Sequence, residues 1–279
     1  MPVTAEATSP QNDDLEPVLR EIVNGRPRQT RAKAANSPET REFLEIGLQL
    51  LRDDLIEHTG PDFEAGTRSK LFETISRERI LQQAELADRN REQKKLLTVN
   101  MFRYRWEQKD RYTEDLISYM FRLAPQSEHL DHMDAASDRL MAQASLAEFV
   151  HTLTEFELRS KLEDPLVNVR MIVRNAIPNH PRVREFCRIQ FDHLLPRWAA
   201  LYERVATAYG LTLKSRYRWL DIATMFKAIV EGELTWARVA SRPVLSDGNY
   251  ILGSAILAML PTLVENAPDD LAGCYAVAK

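Results

Sequence analysis

TVNMFRYRWEQKDRYTEDLISYMF, residues Thr98 to Phe121, is the stretch from which the rest of the chain is read. Met101, Phe102, Arg103, Tyr104, Arg105 and Trp106 make a short segment of aromatics interleaved with arginine, and Glu107, Gln108 and Lys109 form a polar break. A second apolar pattern follows, with Tyr112, Leu116, Tyr119, Met120 and Leu123 at steps of three and four. Such spacing predicts an amphipathic helix. A short basic, aromatic helix feeding a longer one is what a helix-turn-helix DNA reader requires, because the first must fit a major groove and its charges must meet phosphates. An ordinary surface helix with solvated arginines has the same composition, so the pattern needs support from elsewhere.

At 279 residues, 44% hydrophobic and 28% charged, the chain has the composition of a globular protein with one large domain or two ordinary ones. Only 9 glycines and few β-branched runs point to an all-α protein. Cys187 and Cys274 lack metal-type spacing, and no signal peptide is read, so a reducing cytoplasmic location is expected. The longest apolar run, Ile251 to Val264, is too short to span a bilayer, and no membrane partner is expected. The net charge is −4, yet residues 66–111 carry twelve Lys or Arg against seven Asp or Glu. A locally basic N-terminal part in an acidic chain suits a DNA-binding head on an acidic body.

Residues 1–37 read as a flexible arm, with periodicity only from Leu15 to Val23, which predicts one loose helix, and with GRPRQTRAKAANSP as its basic part. Ser37-Pro38-Glu39 starts a helix carrying Phe43, Leu44, Gly47, Leu48, Leu51 and Leu55, which His58-Thr59-Gly60-Pro61 stops. Ser76 can cap a second helix over RERILQQAELADRN, and Thr98 can cap the short one. The head therefore runs over 38–123 and includes a linking helix, and a helical body occupies 124–279. In the body, residues 183–209 form the longest helical run, which Pro196 should kink. Two broad apolar helices end it, Asp221 to Ala240 and, beyond a turn at Ser246-Asp247-Gly248, Tyr250 to Val264.

FLEIGLQLLRDD, TVNMFRYRWEQKDRYTEDLI and the closing pair IATMFKAIVEGELTWARVAS and ILGSAILAMLPTLVEN together resemble the tetracycline-repressor (TetR) family of bacterial transcriptional regulators. The first two resemble its first helix and its recognition helix with the entry to the fourth, the last two its final helices. The resemblance covers about half the chain, at both ends and in the family's order. It implies that Thr98 caps the recognition helix, that Phe102 holds it to the head, that Trp106 closes it, and that Lys109 meets a phosphate. Arg103 stands at the position usually held by tyrosine, with Tyr104 beside it, and Arg105 replaces a histidine. Thr98, Asn100, Arg103, Tyr104, Arg105 and Lys109 are thus the expected DNA-binding residues. The chain departs from the pattern at Lys94-Lys95-Leu96-Leu97, where the family has Ala-Gly, and in its second helix. The resemblance further implies operator DNA as partner, a homodimer through residues 221–266, and a small-molecule effector. The function expected is that of a ligand-responsive transcriptional regulator, acting as a repressor. A TetR-shaped interaction protein without specific DNA binding is the alternative.

The body aromatics Phe149, His151, Trp198, Tyr202, Trp219 and Phe226 are expected to line the effector pocket, although each could equally be packed core. A further alternative is a helical metal-binding enzyme built on Glu148-x-x-His151, but bundles that hold two metals repeat this motif and here it occurs once. No phosphate loop, nucleophile elbow or Cys/His arrangement is found. The expectation is therefore a protein that is not an enzyme, with no catalytic residues, no resident metal and no cofactor.

Overall fold

The computed structural model describes residues 13–56, 71–86, 97–239, 245 and 248–267. Its elements are helices, no β-strand occurs among the described residues, and one isolated antiparallel bridge joins Leu213 to Val264. The expected all-α class is therefore met. The chain divides into two compact units: unit 1 comprises Met1–Pro125 and Pro165–Cys187, and unit 2 comprises Gln126–Asp164 and Arg188–Lys279.

Unit 1 is organised around α2 (Pro38–Ile56), whose buried positions include Phe43, Leu44, Gly47, Leu48 and Leu51, the stripe anticipated from spacing. Before it lies α1 (Arg28–Ala35), and after it come α3 (Arg77–Leu86), α4 (Val99–Arg105) and α5 (Lys109–Met120). Caps appear where the sequence put them. Arg79 N donates to Ser76 Oγ at 3.2 Å and Met101 N donates to Thr98 Oγ1 at 3.2 Å, each satisfying an orphan donor of a first turn. Gly47 lets α5 approach α2 closely: a Cβ there would stand 2.0 Å from the Tyr112 hydroxyl, which donates to Phe43 O at 2.7 Å.

Two parts of unit 1 correct the expected domain boundaries. The arm over 1–37 is not flexible in its described portion, because Leu15, Leu19, Ile22 and Val23 are buried in the same core as α2 and α5. Polar groups tie it down as well: Leu15 N donates to Asn36 Oδ1 at 2.8 Å, and Asp13 pairs with Arg41 and Arg122. Residues 1–12 lie outside the described residues. The body, expected as one block over 124–279, returns to unit 1 over 165–187. There α8 (Pro165–Ala176) packs Val169 and Val173 against α2, and α9 (Pro181–Ile189) brings Val183 and Phe186 into the same core. The Phe186 ring lies 4.7 Å from that of Phe121.

Unit 2 contains most of α6 (Ala124–Met141), then α7 (Leu146–Glu163), a π-helical turn (Gln190–Leu194), α10 (Leu195–Ala208), α11 (Trp219–Val239) and α12 (Ile251–Leu263). The kink expected at Pro196 takes the form of that π turn. Proline lacks an N–H and its ring crowds the carbonyl four residues back, and widening the turn accommodates both. Helix α7 packs on α11 and α12, and α11 packs on α10 and α12. Gly253 permits the α7–α12 approach, since a Cβ there would lie 2.7 Å from Thr154 Oγ1 and 2.9 Å from His151 Nδ1. The N-terminus of α12 is capped from α11: Ile251 N and Leu252 N donate to the buried Glu233 carboxylate at 2.6 and 2.8 Å. Burial raises the Glu233 carboxyl above its usual range, against the pull of these two donors.

Candidate functional site

Helix α4 has two faces of opposite character. Inward, Phe102 and Trp106 join Phe43 and Tyr112 in an aromatic cluster with ring centroids 5.0–6.1 Å apart. Outward, Val99, Asn100, Arg103 and Tyr104 are exposed, Tyr104 by 52%. A helix of seven residues cannot hold its position by its own hydrogen bonds. It is fixed from behind. Trp106 Nε1 donates to Asp115 Oδ2 at 2.9 Å, while Arg20 N and Glu21 N donate to Asp115 Oδ1 at 2.9 and 3.0 Å. Val23 N donates to Arg105 O at 2.8 Å and so satisfies a carbonyl at the C-terminal end of α4. Val23 has φ +43°, a strained conformation for a β-branched residue, and the packed segment on either side holds it there.

The expected DNA-binding residues therefore separate into groups. Asn100, Arg103 and Tyr104 share the exposed face, and Thr98 is the N-cap. Arg105 is corrected to a structural residue, because it is 4% exposed and its guanidinium is engaged inside the unit. Its Nε donates to Thr40 Oγ1 at 2.7 Å, and its Nη2 donates to Ser37 Oγ at 2.8 Å and to Glu39 Oε2 at 3.1 Å. Lys109 stays exposed and donates one proton to Glu73 O at 2.7 Å. Lys94 to Leu96, in the divergent turn, lie outside the described residues.

The second feature is a cavity within unit 2, enclosing about 800 Å³ of atom-free space with its mouth included. Five of the six expected pocket residues, Phe149, Trp198, Tyr202, Trp219 and Phe226, line it. His151 does not, because its ring faces Gly253 at the α7–α12 contact. The wall is otherwise aliphatic from α7, α10 and α12, and three polar side chains interrupt it: Thr154, Glu157 and Tyr202. Thr154 Oγ1 donates to Val150 O at 2.7 Å, within its own helix.

Glu157 was not anticipated. Its carboxylate is buried, with Lys161 Nζ 3.2 Å from Oε1 and His129 Nε2 hydrogen-bonded to Oε2. Burial opposes its ionisation, but the Lys161 charge and the His129 hydrogen bond outweigh burial and hold the carboxyl at about 2. The sequence did carry a signal: Val150, Leu153, Thr154, Glu157 and Leu158 fall on the buried stripe of α7, with Lys161 one turn beyond. Tyr202 shows burial first and the Glu157 charge second, both raising its hydroxyl above the usual range.

The Glu148 and His151 pair does not come together as a metal site. Glu148 closes a capping box with Ser145 at the start of α7, and His151 sits against α12. Among the described residues, no group of three or more His, Cys, Asp or Glu is close enough to hold a metal ion. No helix among them is long and apolar enough to cross a membrane. Comparison with protein-family models, with curated proteins and with solved structures found no match.

Proposed function

We propose that this chain is a DNA-binding transcriptional regulator controlled by a small apolar effector, with a binding role and no catalytic one. The observation that carries the reading is the geometry of α4. It is a short, N-capped helix, locked inward by Phe102, Arg105 and Trp106, and it presents Asn100, Arg103 and Tyr104 outward. Those are side chains of the kind that reach base edges and phosphates: Arg bidentate to guanine, Asn to adenine, Tyr to phosphate. Operator binding as a repressor is the mode proposed.

The cavity in unit 2 supports an effector. The chain crosses between the units at 125/126, 164/165 and 187/188, so a change in unit 2 on ligand binding has three covalent routes to unit 1. Control of this kind needs the effector to favour one arrangement over the other, however tightly it binds. The proposed partner in assembly is a second copy of the chain. Met225, Ala228, Gly232, Trp236 and Val239 form an exposed stripe at helical spacing along α11, with Trp236 and Val239 exposed by 64% and 79%. Small residues beside a large aromatic suit helix-on-helix packing, and a stripe of this kind is unusual on a monomer.

One observation favours a second reading, a helical interaction module that does not read sequence. Arg79, Arg105 and Arg111 all carry intramolecular ion pairs, so the positive charge left free around α4 is modest. Binding of the protein to random duplexes, followed by sequencing, separates the two. A regulator enriches one site, and the Arg103→Ala variant loses it with its helicity intact. An interaction module enriches none.

A further inference from the structure

We propose that the cavity in unit 2 takes an uncharged ring-bearing ligand through a single hydroxyl, which donates to the Glu157 carboxylate and accepts from the Tyr202 hydroxyl. This rests on reading the cavity as the effector site and names the class of effector.

The wall fixes the body of the ligand. Phe149, Trp198, Trp219 and Phe226 supply aromatic surface, and the Tyr202 ring packs 5.3 Å from Phe226 and 5.8 Å from Trp198, centroid to centroid. Flat rings stack or meet such walls edge-on with more contact than a flexible chain gains for the same ordering cost.

The polar corner fixes the head group. A carboxylate offers about four lone-pair positions, and Lys161 and His129 occupy one on each oxygen of Glu157. Acceptor capacity therefore remains. The Tyr202 hydroxyl makes no hydrogen bond among the described residues, and Tyr202 lines the same cavity as Glu157, so a free donor and a carboxylate with spare acceptor capacity belong to one wall. A ligand hydroxyl uses both at once.

Charged heads fit worse, for opposite reasons. An anion meets the Glu157 carboxylate in a low-dielectric wall, where repulsion is strong. An ammonium meets the like charge of Lys161 beside that carboxylate and gives up its hydration to apolar surroundings. A plain hydrocarbon fills the volume but strips water from Glu157 and Tyr202 without replacing it. A site built around a hydroxyl rejects the analogue that lacks it on this ground.

The test is isothermal titration calorimetry of the full chain at pH 7 with four probes on one skeleton: 2-naphthol, naphthalene, 2-naphthoate and protonated 2-naphthylmethylamine. The expected result is 2-naphthol tightest, by about tenfold or more over each of the others, as one charge-assisted hydrogen bond implies. Tyr202→Phe and Glu157→Gln should each lower 2-naphthol affinity about tenfold while leaving naphthalene unchanged. Glu157→Gln also breaks the contacts to Lys161 and His129, so Tyr202→Phe, which removes one oxygen, carries the test if the former fails to fold. Equal affinity for naphthalene, tighter binding of either charged probe, no binding of any probe, or an unaltered Tyr202→Phe variant would each overturn the proposal. No DNA enters this experiment, so its outcome is separate from that of the operator assay.

Discussion

Asp115→Asn probes the junction that holds α4 in place, and its effect should depend on pH in a definite direction. Asp115 is 1% exposed, and its two oxygens accept from Arg20 N, Glu21 N and Trp106 Nε1. Burial, aided by the nearby Glu21 charge, pushes its carboxyl up to about 6 against the pull of the three donors. A folded value above the unfolded one, 3.8, means that this group's contribution to stability is complete below 3.8 and is lost as pH rises through 6. Between pH 7.5 and pH 5 the wild type should therefore gain about 1.4 kcal/mol from this group alone. Asparagine keeps the shape but binds no proton, so it lacks that gain. At pH 7.5 the variant's NH2 opposes the Trp106 N–H, two donors facing each other, at a penalty of about 1–3 kcal/mol, partly offset because no charge is buried. Urea unfolding of both proteins at the two pH values, followed by circular dichroism, measures the gap, and groups common to both cancel. The gap should widen by about 1.4 kcal/mol on acidification. A gap that stays constant or narrows would refute the reasoning, because it would mean that the three donors hold Asp115 ionised.

Other substitutions follow the same logic at other contacts. Gly47→Ala drives a Cβ to 2.0 Å from the Tyr112 hydroxyl, so the thermal midpoint should fall by the equivalent of about 1–3 kcal/mol despite the better helix propensity of alanine. Arg105→Ala should destabilise the protein by about 3 kcal/mol in urea unfolding, because it leaves the Glu39 carboxylate without its buried partner, whereas Arg103→Ala on the open face should leave stability within about 0.5 kcal/mol. Glu233→Ala removes both acceptors at the start of α12 and should lose about 1–3 kcal/mol, with faster hydrogen exchange at Ile251 and Leu252 as the local readout.

The extent to which the sequence was legible follows the range of the interactions involved. Ser76, Thr98 and the stripe of α2 were readable because a cap or a helical face is decided within a turn or two. The aromatic cluster was half readable: Phe102 was placed inward and Trp106 at the helix end, but no local pattern says that Arg105 points inward with them. Arginine at that position looks like any surface arginine until Ser37, Glu39 and Thr40 are brought in from α2 and the residue before it. The segment from Leu15 to Val23 was read as loose because the groups it bonds to, the Asp115 carboxylate and the Arg105 carbonyl, lie more than eighty residues away. The return of residues 165–187 to unit 1 left no mark either, since Val169 and Val173 make an ordinary amphipathic pattern whose destination is not encoded locally. The cavity was legible as a set of aromatics and lost one member, His151, to a helix contact that Gly253 makes possible. Glu157 could have been found, because a carboxylate on an otherwise apolar stripe must have partners.

The central claim, that the outward face of α4 reads DNA, is tested most directly by selecting duplexes from a random pool with the full chain and repeating the binding at two stated salt concentrations. The expected result is one enriched site of roughly palindromic form, affinity that falls as salt rises, and loss of selection in Arg103→Ala without loss of helicity. A pool that emerges unenriched, or an Arg103→Ala variant that selects the same site with the same affinity, would contradict it.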